Sequence, residues 1–199
     1  MEFKLSKEIV RPAHENELQA LSELLLEEMG NDPFTVWLKP RHVRDGWLKG
    51  HFYRILSESY KTGVVLTTDN LLGVAIWVPP ENQTKTTLRA LFSPLRDFYW
   101  YRGRTREVRK GFKWLENARP VEKYWYLQLL ATKSEARRQG VGTALIDYQQ
   151  RLSMTKNDLL VVEITNRKNM FFYAKQGFRI GHTFTLPAGP DVFSLINSK

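Results

Sequence analysis

The stretch Leu129-Leu-Ala-Thr-Lys-Ser-Glu-Ala-Arg-Arg-Gln-Gly-Val-Gly-Thr-Ala-Leu145 holds the residues best suited to gripping a ligand. An apolar, β-prone run passes into a basic turn bearing Gly140 and Gly142, and the turn opens a helical pattern. Glycine lets the backbone approach a ligand closely with its N–H groups turned outward. A helix beginning there adds unpaired N–H groups and the positive end of its dipole. Together these make a cradle for phosphate, which Arg137 and Arg138 reinforce. Two other phosphate-binding patterns do not fit. A dinucleotide fold wants G-x-G-x-x-G, and Leu145 stands where the third glycine belongs. A P-loop wants Gly-Lys-Ser/Thr, a run the chain does not contain.

A second residue with chemical potential is Glu163, inside the apolar run Leu159-Leu-Val-Val-Glu-Ile-Thr165. A carboxylate there is costly to bury without a task or a partner, and the partner would be an arginine or a buried hydroxyl. Tyr173 and Tyr148 each read, on pattern alone, as aromatics buried on a helix. The chain has no cysteine, which removes disulfides and thiolate metal sites. His14, His42, His51 and His182 lack ligand spacing, so no metal is expected. Neither a G-x-S-x-G elbow nor a spaced carboxylate pair offers hydrolase chemistry.

These residues need a scaffold, and 199 residues with 42% apolar and 13% aromatic content suit one globular domain. No apolar run approaches the roughly 20 residues that span a bilayer. The start, Met1-Glu-Phe-Lys-Leu5, lacks a signal-peptide layout, so a cytoplasmic protein is expected. The net charge of +9 is uneven: Lys85 to Lys113 holds nine Lys and Arg against Asp97 and Glu107, hence +7, leaving +2 elsewhere. That basic stretch suits either a solvated helical face or an anionic partner.

Ile9 to Ala13 reads as a short strand, and Leu18, Leu21, Leu24 and Leu25 recur at helical spacing until Gly30-Asn-Asp-Pro33 halts them. Pro40 to Tyr60 reads as a second helix carrying Val43, Trp47, Phe52, Ile55 and Leu56. Val64–Thr68 and Leu72–Val78 form a hairpin about Asp69-Asn70. Helical patterns fill most of Thr87 to Asn117, so 81–120 reads as a basic helical insertion between strands three and four of one domain, 1–199. The second half alternates: a strand over Tyr124–Thr132, a helix from Gly142 to Ser153, a central strand over Leu159–Thr165, and a helix from Lys168 to Gln176 ended by Gly177. Strands over Phe178–Leu186 and Val192–Asn197 close the chain. The order predicts an α/β (α+β) fold with a mixed sheet.

The run Arg137-x-x-Gly140-x-Gly142 resembles the Q/R-x-x-G-x-G/A pyrophosphate motif of the GNAT acetyltransferases. Asn166-Arg-Lys-Asn169-Met-Phe-Phe-Tyr173-Ala-Lys-Gln-Gly177-Phe178 is similar to that family's second motif, one helix and one strand downstream. Gly73–Pro80, Asp32-Pro33 with Trp37, and Tyr124–Leu127 look like the branch that includes puromycin N-acetyltransferase.

The resemblance implies a mostly antiparallel sheet of about six or seven strands, flanked by helices, its fourth and fifth strands splayed around the cofactor. It implies acetyl-CoA as co-substrate, without metal, and transfer of the acetyl group to a primary amine. The backbone of Leu130, Ala131 and Thr132 would hold the pantetheine arm. N–H groups over Arg137, Arg138, Gln139, Gly140, Val141, Gly142 and Thr143 would hold the pyrophosphate. Asn166 and Asn169 would face the pantetheine, and Tyr173 would protonate the departing thiolate. An ammonium has no lone pair, so a base is also required, and Glu163 is the candidate. Many members carry glutamate two residues earlier, where Val161 stands on the same side of the strand. Asp32, Phe34, Trp37, Trp77 and Tyr126 fall in the acceptor region and would suit a small organic amine. Family members are often dimers, which makes a homodimer the corresponding expectation.

Three other readings stay open at this stage. The acceptor could be a protein or peptide amine. The protein could hold acetyl-CoA as a sensor without turnover. The segment Arg96–Lys113 could bind nucleic acid, with Tyr99, Trp100 and Tyr101 stacking on bases.

Overall fold

The computed structural model describes residues 9–38, 46–83, 104–154 and 158–198. Its elements are β1 (Val10–Pro12), α1 (Leu18–Met29), α2 (Pro33–Leu38), α3 (Gly46–Thr62), β2 (Val64–Thr68), β3 (Gly73–Val78) and α4 (Thr105–Asn117). After these come β4 (Tyr124–Thr132), α5 (Val141–Met154), β5 (Leu159–Ile164), α6 (Met170–Lys175), β6 (Arg179–Thr185) and β7 (Asp191–Asn197). The strands form one seven-stranded sheet in the order β1-β2-β3-β4-β5-β7-β6. Every neighbouring pair is antiparallel except β4 and β5. That parallel pair needs a crossover, which α5 supplies. The expected mixed, mostly antiparallel sheet flanked by helices is the fold observed.

Most elements lie where hydrophobic spacing puts them. Leu18, Leu21, Leu24 and Leu25 bury the inner face of α1. Asp32-Pro33 does more than stop that helix. Proline is tolerated at a first helical position, and α2 begins on Pro33 with the Asp32 Oδ1 accepting the Phe34 N–H at 2.9 Å. The second predicted helix runs over Gly46–Thr62; Pro40 and Val43 lie outside the described residues. Of the predicted Thr87–Asn117 helices, Thr105–Asn117 is helical, and Arg96, Tyr99, Trp100, Tyr101 and Arg102 lie outside the described residues.

Alternating side chains bury both faces of the sheet. Leu145 and Ile146 of α5 and Tyr173 of α6 pack against Trp77, Leu127, Val162 and Phe193 on one face. On the opposite face α1 and α3 cover Val65, Val74, Ile76 and Ala131. Beside them α2 and α4 enclose Trp37, Val108, Leu115, Leu186 and Val192. Two residues expected at the acceptor therefore belong to the core. Trp77 is fully buried, and Trp37 is 5% exposed with its indole N–H donating to the Pro187 carbonyl at 2.9 Å. For each, the large apolar ring gains more from the interior than from a cleft wall.

The β3–β4 register slips between Ile76 and Trp77: Ile76 faces Leu129 and Trp77 faces Leu127, so Gln128 is an inserted bulge residue. A bulge bends and twists its strand. On the far side of β4, pairing with β5 covers Tyr124–Leu127 against Leu159–Val162 and stops at the same place. Beyond it the two strands part.

Trp37 fits because glycines flank it. A Cβ on Gly111 would meet the indole at 2.6 Å, and one on Gly189 at 2.4 Å. Gly111→Val is therefore expected to cost about 1–3 kcal/mol by overpacking, read as a lower urea midpoint.

Candidate active site

The parting strands leave half of β4 unpaired along one edge. Gly73–Ile76 of β3 bond Thr132–Leu129 on the other edge, so the backbone of Leu130, Ala131 and Thr132 faces the gap without a β5 ladder. Unpaired strand groups pair readily with an extended amide-bearing chain. Leu130 and Thr132 are half-buried and Ala131 is buried, which keeps that edge firm.

The strand leads into a 3-10 turn, Ser134–Ala136, and then into the basic glycine turn. Gly140 has φ of +88°, a backbone shape costly for other residues, and a Cβ there would meet only open space. Arg138 is also left-handed, at φ of +63°. The first intrahelical bond of α5 runs from the Ala144 N–H to the Gly140 carbonyl at 2.8 Å. The N–H groups of Val141, Gly142 and Thr143 precede it and belong to the helix's open end. Arg137, Arg138, Gln139 and Gly140 are exposed, Val141 is buried, and Gly142 and Thr143 are half-buried. Loop and helix end together make a cradle of open N–H groups and basic side chains, an arrangement that suits an anion.

One organiser of this turn has no sequence signal. Glu28, in the last turn of α1, accepts the Ser134 N–H at 2.7 Å and the Ser134 hydroxyl at 2.9 Å, and ion-pairs with Arg137. Its side chain is 4% exposed, against 57% for Arg137. A buried anchor thus holds an exposed cation beside the cradle.

Tyr173 is buried on α6, edge-on to Phe172 and Phe178 at centroid distances of 5.0 and 5.6 Å. Its hydroxyl bonds no described residue. Burial pushes the phenol well above its usual range, and the negative charge of Asp32 adds to the effect. A phenol so placed keeps its proton at neutral pH and can donate it. Gly177, at φ of +85°, ends α6 as the spacing predicts. Ahead of α6, Asn166 caps the short turn by accepting the Lys168 N–H at 3.1 Å, and Asn169 is exposed.

Asp32 meets the end of β5. The Thr165 hydroxyl donates to its Oδ1 at 3.0 Å, beside the Phe34 N–H. Phe34 is half-buried against Trp37 and Phe112, at 5.6 and 6.3 Å.

Glu163 has both kinds of partner that its burial requires. Arg119 Nε donates to Oε1 at 2.8 Å and Nη2 to Oε2 at 3.0 Å, a two-pronged clasp. The Tyr126 hydroxyl donates to Oε2 at 2.6 Å, and the guanidinium lies 4.0 Å from the Tyr126 ring centre. Burial, the largest single influence, would lower the Arg119 guanidinium, but the charge and hydrogen bonds of Glu163 together with Tyr126 and Tyr124 outweigh it and hold the cation firmly. Burial and then the same charge raise the Tyr126 hydroxyl. Tyr126 is thus committed to Glu163, and Glu163 is held in a closed ion pair rather than standing open to a substrate. Arg119, just before Pro120, is legible in sequence only as an arginine that some buried carboxylate needs.

Two outcomes follow. Arg119→Met leaves the buried Glu163 unpaired and should cost about 3–5 kcal/mol in urea denaturation, most of it restored by adding Glu163→Gln. Glu28→Gln should weaken binding of a pyrophosphate-bearing ligand about tenfold in calorimetry, with the fold intact, because Arg137 loses its charged anchor.

Residues 96–180 match the family model for the acetyltransferase (GNAT) domain. No curated protein matches the chain. Among solved structures, one from Corynebacterium glutamicum, described as histone acetyltransferase HPA2 and related acetyltransferase, is 20% identical with a TM-score of 0.71, covering 96% of both chains. Arylalkylamine N-acetyltransferase 2 of Aedes aegypti is 11% identical with a TM-score of 0.70, over 97% of this chain and 99% of that one. Polyamine N-acetyltransferase of Drosophila melanogaster is 13% identical with a TM-score of 0.62, over 96% and 99%. Residues 96–180 therefore carry a GNAT acetyltransferase domain signature, set in a fold that solved N-acetyltransferases share over nearly their whole length.

Proposed function

We propose that this chain is an acetyl-CoA-dependent N-acetyltransferase that acts on a primary amine of a small molecule. The observation that carries the reading is the continuity of the unpaired β4 edge with the Gly140 cradle, both opening where β4 and β5 part. A strand edge suits the amides of a pantetheine arm, and a helix end with basic flanks suits its pyrophosphate. The residues thus fit acetyl-CoA: Leu130–Thr132 along the pantetheine arm, Asn166 and Asn169 facing that arm, and Arg137–Thr143 at the phosphates. When bound, the thioester supplies the activated acetyl group.

Tyr173 is the proton donor to the leaving sulfur. Its raised phenol stays protonated until a thiolate, a strong enough base in a dry setting, appears beside it. A small acceptor is favoured because structures sharing the fold are named for arylalkylamine, polyamine and agmatine acetylation. The features at Gly73–Pro80 and Asp32-Pro33 keep the puromycin-acetyltransferase branch within this reading. The basic stretch 81–120 is read as an insertion within one domain, its described residues including α4.

Thermal melting tests the donor site first. Acetyl-CoA at about 100 times its dissociation constant should stabilise the fold by about 2.7 kcal/mol, raising the midpoint by about 5–10 °C, while ATP should not. Tyr173→Phe should keep that shift yet lower thiol release with an amine by about 10²–10³-fold. Equal shifts with ATP would reduce the site to a general anion cradle.

A further inference from the structure

Two carboxylates border the region where the strands part, and their surroundings differ. Glu163 has both oxygens engaged by Arg119 and Tyr126 in a nearly sealed pair, 4% exposed on the glutamate side. Asp32 is half-buried, and its two bonds, from Phe34 N–H and the Thr165 hydroxyl, fall on a single oxygen. The other oxygen, Oδ2, bonds no described residue. Thr165 follows β5 directly and leads into the turn that opens the helix of Tyr173. The bond from Thr165 therefore ties Asp32 to the end of β5, beyond the point where its pairing with β4 stops.

We infer that Asp32, rather than Glu163, is the carboxylate that meets the acceptor's ammonium and accepts its proton. The inference rests on the acetyl transfer proposed above. That Asp32 is the charge acting on the Tyr173 phenol agrees with the two groups sharing one small space. Glu163 and Arg119 then form a positioning pair that fixes Tyr126 and β5.

The acceptor enters as R–NH3+, drawn by the Asp32 charge. One proton passes to Oδ2 and on to water, freeing the nitrogen lone pair. The C–N bond forms at the thioester carbonyl and the C–S bond breaks. Tyr173 protonates the departing thiolate, and the second proton shed by nitrogen restores the tyrosine. Each turnover releases one proton.

Asp32→Asn keeps an oxygen for both hydrogen bonds and so preserves the start of α2. Thiol release is measured at pH 7 with two acceptors of nearly equal shape: 2-phenylethylamine, an ammonium at that pH, and its far less basic β,β-difluoro derivative. Asp32→Asn should lower kcat/KM for phenylethylamine by about 10²-fold, and the deficit should shrink at least about tenfold for the difluoro amine, which needs no base before attack. The acetyl-CoA melting shift should stay at the wild-type value. Glu163→Gln should affect both amines alike. Wild-type turnover by Asp32→Asn, or an equal loss on both acceptors, overturns the inference, as does an acceptor-dependent deficit found in Glu163→Gln instead. A wild-type protein that binds acetyl-CoA yet releases no thiol with either amine overturns the proposed transfer itself.

Discussion

The arrangement of this protein depends on two parallel strands that pair for four residues and then separate. Parallel strands normally bury each other's backbone groups along their whole length. Here the Gln128 bulge turns β4 away at the residue where its ladder with β5 ends. The consequence is an interior stretch of backbone with free hydrogen-bonding capacity, a costly feature unless something fills it. Everything that binds or reacts in the proposed function is gathered around that gap: the β4 edge, the glycine turn beyond it, and the Tyr173 helix that follows β5.

Charge near such a gap needs firm control, because a low-polarity setting magnifies both attraction and error. The molecule uses its carboxylates in different ways. Glu163 is clasped by Arg119 and capped by Tyr126, which joins the segment after α4 to two central strands. Glu28 is equally buried but turned outward, steadying Ser134 and Arg137 at the cradle. Asp32 alone of the three keeps an oxygen uncommitted among the described residues.

Glu28 and Asp32 also connect the two sides of the site. They bracket the junction of α1 and α2, one reaching the turn before α5 and the other the end of β5. A shift of that junction would move both contacts together. The junction thus ties the glycine turn to the end of β5 through one helix end.

The sequence by itself determined most of the elements and the two glycine turns. Periodicity placed α1, the hairpin, β5 and α5, because burying one face imposes a repeat that can be read along the chain. Gly140 and Gly177 announced left-handed turns, because few other residues accept that backbone shape. The apolar run around Glu163 announced a carboxylate in need of a partner. What the sequence could not decide were matters of meeting. Nothing in a one-residue insertion at Gln128 marks it as a bulge, since a bulge exists only relative to the neighbouring strand. Trp37 and Trp77 look the same in sequence whether they line a cleft or fill a core; glycines on α4 and after β6, and the packing under α5, settled them inside. That Arg119 finds Glu163, and Thr165 finds Asp32, across 44 and 133 residues, is a property of tertiary packing alone. The glycine turn and the helix start after it were local and therefore legible; which carboxylate is closed and which is open was not, because their partners come from distant segments.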